Sequence, residues 1–491
     1  MSARSSRPEL DAFLPEALRE WIADLAQLPL KPAVQSIPAV VLFADVSGFT
    51  ALTEQWAAQG AQGLETLSEI LNEFFQPSIE AIRHRGGDVL TLAGDSVVAC
   101  WEGETPAAMI KAAAAAFAIQ EHSVRAAGRA GVRLKVRIGL GCGRLQAALV
   151  GGVGNRWELV VAGAPLAEVA SAERHARPGE VVVAPGAQNL LPPNPASTPL
   201  ADGFLRLDAP PPGPDSLLPV RVIQTEYLER FIARASISRH RHGMSELGTE
   251  LRRVTAVFIN LAGSHGLGDL PPLRDLQTLV ERLQTTVPRY GGVINKWTVD
   301  DKGVSLLVLF GLPPLSHEDD PHRGVVAAAE IIRDLPASTV PLRLAVATGR
   351  AFCGMLGTPS RHEYTAIGGG GESSCPTGVA SADRRTVDGR DDRRSLVVAI
   401  GVRGFAGGPA QGVSPIGSRS PSRGHGGRQG CSTHAPSSLA TRARDSRLAQ
   451  LLEEFQRGEH RVCWSKASRA SANRRSCARL SGVFSWPDFN R

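Results

Sequence analysis

Two aspartates raise the first chemical question. Asp45 closes the apolar run "AVVLFADV", and Asp95 occupies the tight "AGDS" turn that follows "GGDVLTL". If the two segments are neighbouring strands, both carboxylates meet at one end of a sheet. With the carbonyl of Val46 they make a set of hard oxygens suited to Mg²⁺, which takes few protein ligands and completes its octahedron with water and phosphate. The loop Ser47, Gly48, Phe49 and Thr50 opens the next helical pattern, so its N–H groups could hold a triphosphate. Spacing alone equally allows Asp45 as a helix N-cap and Asp95 as a plain turn residue.

The elements that must position these residues occur twice. "AVVLFADVSGFTALTE" at 39–54 is echoed by "VTAVFINLAGSHGLGD" at 254–269, and "GGDVLTLAGDSVVACWE" at 86–102 by "GGVINKWTVDDKGVSLLVLFG" at 291–311. A third pair follows in the same order: "VRLKVRIGLGCGRLQAALVGG" with "WELVVAGAPLAEVA", then "VPLRLAVATGRAFCGMLG" with "HEYTAIGGG". Blocks repeated in one order argue for two homologous domains. In the first copy a β-branched strand leads to a helix over about 52–84, with Leu64, Leu67, Leu71, Phe74 and Phe75 at helical spacing. Gly86 and Gly87 turn the chain into a hairpin, and a second helix over 105–125 and further strands follow. The predicted fold class is α+β, with two ferredoxin-like domains and a disordered C-terminal tail.

The domain reading is a helical N-terminal segment at 1–35, a first domain at 36–190, a proline-rich connector at 191–224, a second domain at 225–370 and a tail at 371–491. Residues 10–28 read as an amphipathic helix, residues 225–248 as a helix entering the second domain, and the connector as extended chain because proline fixes φ and removes a donor. The tail carries 20 basic and 10 acidic side chains. Residues 1–370 then hold 34 basic against 38 acidic, a net of −4, although the chain as a whole is +6. No nucleic-acid partner is expected for residues 1–370. Cys100, Cys142 and Cys353 sit in apolar contexts, and neither a signal peptide nor an apolar run long enough to span a bilayer is evident, so the expected location is the cytoplasm.

"FADVSGFTALTE" with "GGDVLTLAGDS" resembles the class III nucleotidyl cyclases, and "LRRVTAVFINL", "GGVINKW", "DKGVSLLVLFG" and "RHEYTAIG" look like the soluble adenylyl cyclase branch of that family. The resemblance covers residues 30–370. It implies intramolecular head-to-tail pairing of the two domains, with one complete and one degenerate site at the shared interface. It further implies conversion of ATP to cyclic AMP and pyrophosphate, with Asp45 and Asp95 as ligands of two Mg²⁺ or Mn²⁺ ions that activate the ribose 3'-hydroxyl and bind the triphosphate. By the same resemblance Arg137 would reach the terminal phosphate, and Lys296 and Thr365 match the positions that read adenine. Asn260 stands in the second copy where the first has Asp45. The rival class is a non-catalytic nucleotide-binding or scaffold pseudocyclase that keeps Asp45, Asp95 and Lys296.

Several positions depart from the family pattern. The lysine and arginine that bind bicarbonate in that branch correspond to Thr91 and Ala170, so regulation by bicarbonate through the same contacts is not expected. Ala167 occupies a position where an active copy has asparagine. The second copy should read T-x-I-G-x-x-V-N-x-x-x-R, and Thr365, Ile367 and Gly368 fit, but Glu372 and Pro376 occupy the asparagine and arginine positions. "GESSCPTG" at 371–378 has codon choices that read V-N-L-A-A-R-L after a one-base shift, and the tail has 19 arginines against one lysine. These features point to a frameshift near Gly370, the alternative being a natural disordered, basic tail that binds RNA or acidic partners. Losing one preorganised donor to the transition state costs roughly 2.7–4 kcal/mol, so the expected turnover is impaired.

Overall fold

The apolar run that ends at Asp45 lies at the centre of a sheet. This computed structural model describes residues 10–16, 19, 21, 30–49, 56, 61–126, 134–212, 228–241, 250–261, 268–300, 303–335, 340, 342–367, 398–402, 460–461 and 483–484. In chain order, β1 (Ala33–Val46), α1 (Ala61–His84), β2 (Asp88–Ala93) and β3 (Ser96–Glu102) are followed by α2 (Pro106–Ala126), β4 (Val136–Gly151), β5 (Trp157–Ala162) and α3 (Ala164–His175). The short strands β6 (Val181–Val183), β7 (Ser197–Pro199) and β8 (Leu205–Leu207) complete this part. The strands lie in the order β2-β3-β1-β4-β6-β8-β7, with β5 paired to β4. Alternation along β1 buries both faces. Val40, Leu42 and Ala44 join a core with Leu67, Phe74 and Phe75 of α1, while Ala39 and Val41 pack with Leu166 and Val169 of α3.

The second copy repeats this plan. After α4 (Arg234–Arg241) come β9 (Glu250–Leu261), α5 (Leu273–Arg289), β10 (Val293–Asp300), β11 (Gly303–Phe310), α6 (Asp320–Asp334), β12 (Leu342–Thr358) and β13 (Arg361–Ile367). Their sheet order is β10-β11-β9-β12-β13, the counterpart of β2-β3-β1-β4-β5. The architecture is mixed α+β, with one sheet plan present in both copies, as the repeat leads one to expect.

Contacts between the copies are reciprocal. α1 packs on β12, so Phe352, Leu356 and Ile367 enter the core of the first copy, and α5 lies against β4. There the Gln277 amide accepts from Gly151 N at 2.8 Å and donates to Gly151 O at 2.7 Å. Gly151 has φ +108° and a Cβ would stand 2.5 Å from Gln284 Nε2, so only glycine fits. β2 meets β13, and β5 meets β10.

Three local expectations change. Residues 10–28 do not begin as one helix: Leu10–Phe13 is a 3₁₀ turn, and Pro15, which has no N–H to continue a ladder, separates it from helical Glu16, Arg19 and Trp21. The front of the connector is extended but not a free spacer, because Ser197–Pro199 and Leu205–Leu207 pair antiparallel and widen the first sheet. Pro199 is tolerated there since β7 is the edge strand. In place of a single helix over 225–248, the described residues form a 3₁₀ turn at Leu228–Phe231 and then α4.

Thr50, Gly368, Glu372, Pro376 and most of the tail lie outside the described residues. Within the tail, β14 (Val398–Val402) runs parallel to β12 as β6 does to β4. A separate unit holds the antiparallel pair β15 (His460–Arg461) and β16 (Val483–Phe484). Among the described residues no helix is long and apolar enough to cross a membrane.

Candidate active site

The β1–β3 ladder carries Asp45 opposite Ser96, and Val46 N approaches Asp95 O at 3.4 Å, so both aspartates stand at the same end of the first sheet. The β1–β4 ladder sets Arg137 opposite Asp45, and Arg137 Nη2 donates to Asp45 Oδ2 at 2.8 Å. The same guanidinium forms an ion pair through Nε with Glu173 Oε1 of α3 at 2.7 Å. Two carboxylates therefore share one cation. Burial raises the Asp45 pKa, with Arg137 opposing it. Burial and then the charge of Asp45 push Glu173 up to about 7, again against Arg137.

Ser47 and Gly48 turn the chain out of β1, with Gly48 at φ +78° and Phe49 beginning a helical turn. Ser47 N donates to Lys135 O at 2.8 Å, so this N–H is already engaged, whereas the buried Ser47 Oγ has no hydrogen-bond partner. Among the described residues no three His, Cys, Asp or Glu side chains cluster as a metal cage. The two carboxylates at one sheet end and the Ser47 hydroxyl are of the donor type a hard divalent ion takes when it keeps waters and phosphate oxygens in its shell.

The second copy reaches this region through a cavity of about 620 Å³. Its walls include Asp95 and Ser96 from the first copy and Asn260, Lys296 and Ser305 from the second. Lys296 Nζ donates to Leu92 O at 2.6 Å and pairs with Glu363 Oε2 at 3.3 Å. Arg361 closes the cluster, donating to Val89 O at 2.9 Å, Leu90 O at 3.0 Å and Glu363 Oε1 at 2.7 Å. Burial alone would raise the Glu363 pKa, but Lys296, Arg361 and the Leu92 N–H together hold it below the ordinary glutamate value. Thr365 is buried behind the wall and donates to Asn295 Oδ1 at 2.9 Å, while Asn295 itself faces the cavity.

The structure thus gathers Asp45, Val46, Asp95 and Arg137 at one sheet end and sets Lys296 in the cavity that Asp95 also lines; Thr365 is not in that lining but bonds Asn295, which is. Sequence reasoning missed Glu173, Arg361 and Glu363. Arg361 and Glu363 had the signal of lying in the quoted segment "RHEYTAIG", and Glu173 of lying three residues past "WELVVAGAPLAEVA". Glu158 holds the place of Glu363 in the first copy, but the lysine position there is Thr91. Burial pushes the Glu158 carboxyl up to about 7, opposed first by the Gln284 amide, 3.4 Å away, and then by Arg156.

Residues 33–201 match the family described as the adenylate and guanylate cyclase catalytic domain. The chain is 27% identical over 383 residues to adenylate cyclase type 10 of Mus musculus, covering 69% of this chain and 23% of that protein. An uncharacterized protein of Mycobacterium tuberculosis is 33% identical over 130 residues, 25% of this chain and 23% of the other. A class III adenylyl cyclase-like ATP-binding protein from Pseudomonas aeruginosa aligns with 69% of this chain and 80% of that one, at 12% identity and a TM-score of 0.46. The chain spans about a quarter of the length of the adenylate cyclase type 10 relatives it matches.

Proposed function

Since residues 33–201 are a class III nucleotidyl cyclase domain in a chain homologous to adenylate cyclase type 10, we propose that the protein converts ATP to 3',5'-cyclic AMP and pyrophosphate in a cleft shared by its two copies. The observation that carries this reading is the cavity common to Asp95 of the first copy and Lys296 of the second. The reciprocal packing of α1 on β12 and α5 on β4 supports a pseudo-symmetric, head-to-tail pair.

Asp45, Asp95 and the Val46 carbonyl would hold two Mg²⁺ or Mn²⁺ ions. Bound there, such ions supply Lewis acidity to the α-phosphate and acidify the ribose 3'-hydroxyl. Arg137 reaches the terminal phosphate from its Glu173 side, and the Ser47–Thr50 turn supports the triphosphate. Lys296, held in place by Glu363 and Leu92 O, donates to a ring nitrogen of adenine. Thr365 fixes the amide of Asn295 for the same base. We assign the reaction to the cytoplasm, where Cys100, Cys142 and Cys353 remain free thiols.

Turnover by this chain is impaired because Glu372 and Pro376 replace the asparagine and arginine that would orient the ribose and stabilise phosphate charge. The second reading, a nucleotide-binding pseudocyclase, is favoured by Arg137 already neutralising Asp45. A cyclic AMP assay with Mn²⁺ on this chain and on a version restored to V-N-L-A-A-R-L separates the two. Turnover confined to the restored chain supports the cyclase; ATP binding without product in both supports the pseudocyclase. Neither binding nor turnover in either would remove both.

A further inference from the structure

One row of side chains occurs in both sheets. In the first, Ser96, Asp45 and Arg137 are direct cross-strand partners on β3, β1 and β4. In the second, Ser305, Asn260 and Arg343 are partners on β11, β9 and β12. Directly opposed residues of antiparallel strands share a face, and all three members of the second row line the 620 Å³ cavity. The rows differ at one position, aspartate against asparagine.

That exchange removes one of the carboxylates that hold the arginine of the first row. Arg137 is held by Asp45 and Glu173. Arg343 is exposed and has no carboxylate partner among the described residues. Asn260 Nδ2 donates to Ser305 Oγ at 3.0 Å and to Val304 O at 3.3 Å, which leaves the Ser305 hydroxyl proton to donate elsewhere. The other cations of the cavity, Lys296 and Arg361, share the Glu363 carboxylate. Arg343 and Ser305 flank Asn260 from the two neighbouring strands, so a guanidinium fork with no carboxylate partner among the described residues and a hydroxyl donor face one cavity, both suited to phosphate oxygens. Where the first row suits a cation between oxygens, the second offers donors to an oxyanion.

We propose that Arg343 and Ser305, with Asn260 holding the hydroxyl, form a second ligand site that binds a phosphate group without a divalent ion. It does not depend on turnover at the first row. The ligand is a phosphate ester or free polyphosphate whose charged end sits at Arg343.

Isothermal titration calorimetry with inorganic pyrophosphate, in EDTA, tests the assignment on the full chain. Wild type is expected to bind one pyrophosphate. Arg343→Gln and Asn260→Asp are each expected to weaken binding at least about ten-fold, the latter because the new carboxylate captures Arg343 as Asp45 captures Arg137. Arg343→Lys should retain part of the affinity, and Arg144→Gln, a surface control on β4, all of it. Circular dichroism melts show whether each variant is folded, and Asn260→Asp, nearly isosteric, keeps the test decisive if Arg343→Gln is not. ATP binding more tightly than pyrophosphate at this site identifies a nucleotide as the source of the phosphate; equal affinity identifies the free polyphosphate. Absence of binding by wild type, binding unchanged in Asn260→Asp, or uptake of bicarbonate but not pyrophosphate would each overturn the proposal.

Discussion

Glu158 and Glu363 occupy the same position of a repeated motif and live in opposite electrostatic surroundings. Glu363 has Lys296 at 3.3 Å and Arg361 at 2.7 Å, whereas Glu158 has Thr91 where the lysine would be. Glu363→Gln should therefore remove the carboxylate that Lys296 and Arg361 share and lower stability by roughly 3–5 kcal/mol in urea denaturation. Glu158→Gln should behave differently. A carboxyl raised from 4.5 to about 7 keeps its proton in the fold while the unfolded chain releases it, so stability falls as pH rises from 4.5 to 7. The loss is about 3 kcal/mol. The glutamine variant should show a flatter profile over that window; an unchanged slope would refute the assignment. For the catalytic reading, Asp45→Asn in the frame-restored chain should cut cyclic AMP formation by at least about 10²-fold.

At the scale of elements, β13 is the strand through which the copies grip each other. Arg361 projects from it onto the backbone of β2, and the Phe13 ring meets His362 edge-on at 4.3 Å from the N-terminal turn. Replacing Arg361 by alanine removes bonds to Val89 O and Leu90 O and takes one of its two cations from the buried Glu363, leaving Lys296, an expected loss of about 3–5 kcal/mol. The neighbouring His362 is enclosed, and burial lowers its pKa from 6.5 to about 4, with the Nδ1 contact to Thr358 O opposing this. As pH falls from 6.5 to 4 the unfolded chain takes up a proton that the fold excludes, so stability should drop by roughly 3 kcal/mol. His362→Gln should remove that component of the acid transition, readable by fluorescence-monitored unfolding at stepped pH. The hairpin Ser197–Leu207 teaches a different lesson. Its prolines read as an extended connector, yet an edge strand needs no donor on its outer side, and that context lies in the sheet rather than the local sequence.

For the whole molecule, the core of the first copy is completed by Phe352, Leu356 and Ile367 of the second. Trp101 and Trp297 report from opposite copies. Their fluorescence should change in one transition coincident with far-UV circular dichroism, because neither core is closed without the other. Two separated transitions would show that the copies fold independently.

The repeat, the α+β class and the two aspartates at a sheet end were legible in the amino-acid order. Periodicity, glycine turns and β-branched runs act over a few residues and leave their mark there. Which charge meets which partner was not. Lys296 reaches Leu92 across 204 positions and Arg361 reaches Val89 across 272, and nothing local announces either contact. The tertiary structure alone decided that Arg137 is shared by two carboxylates, that Thr365 bonds Asn295 from behind the cavity wall, and that Arg343 lines the cavity without a carboxylate partner among the described residues. Electrostatic pairing depends on separations of a few ångströms through space, and only the packed strands set those.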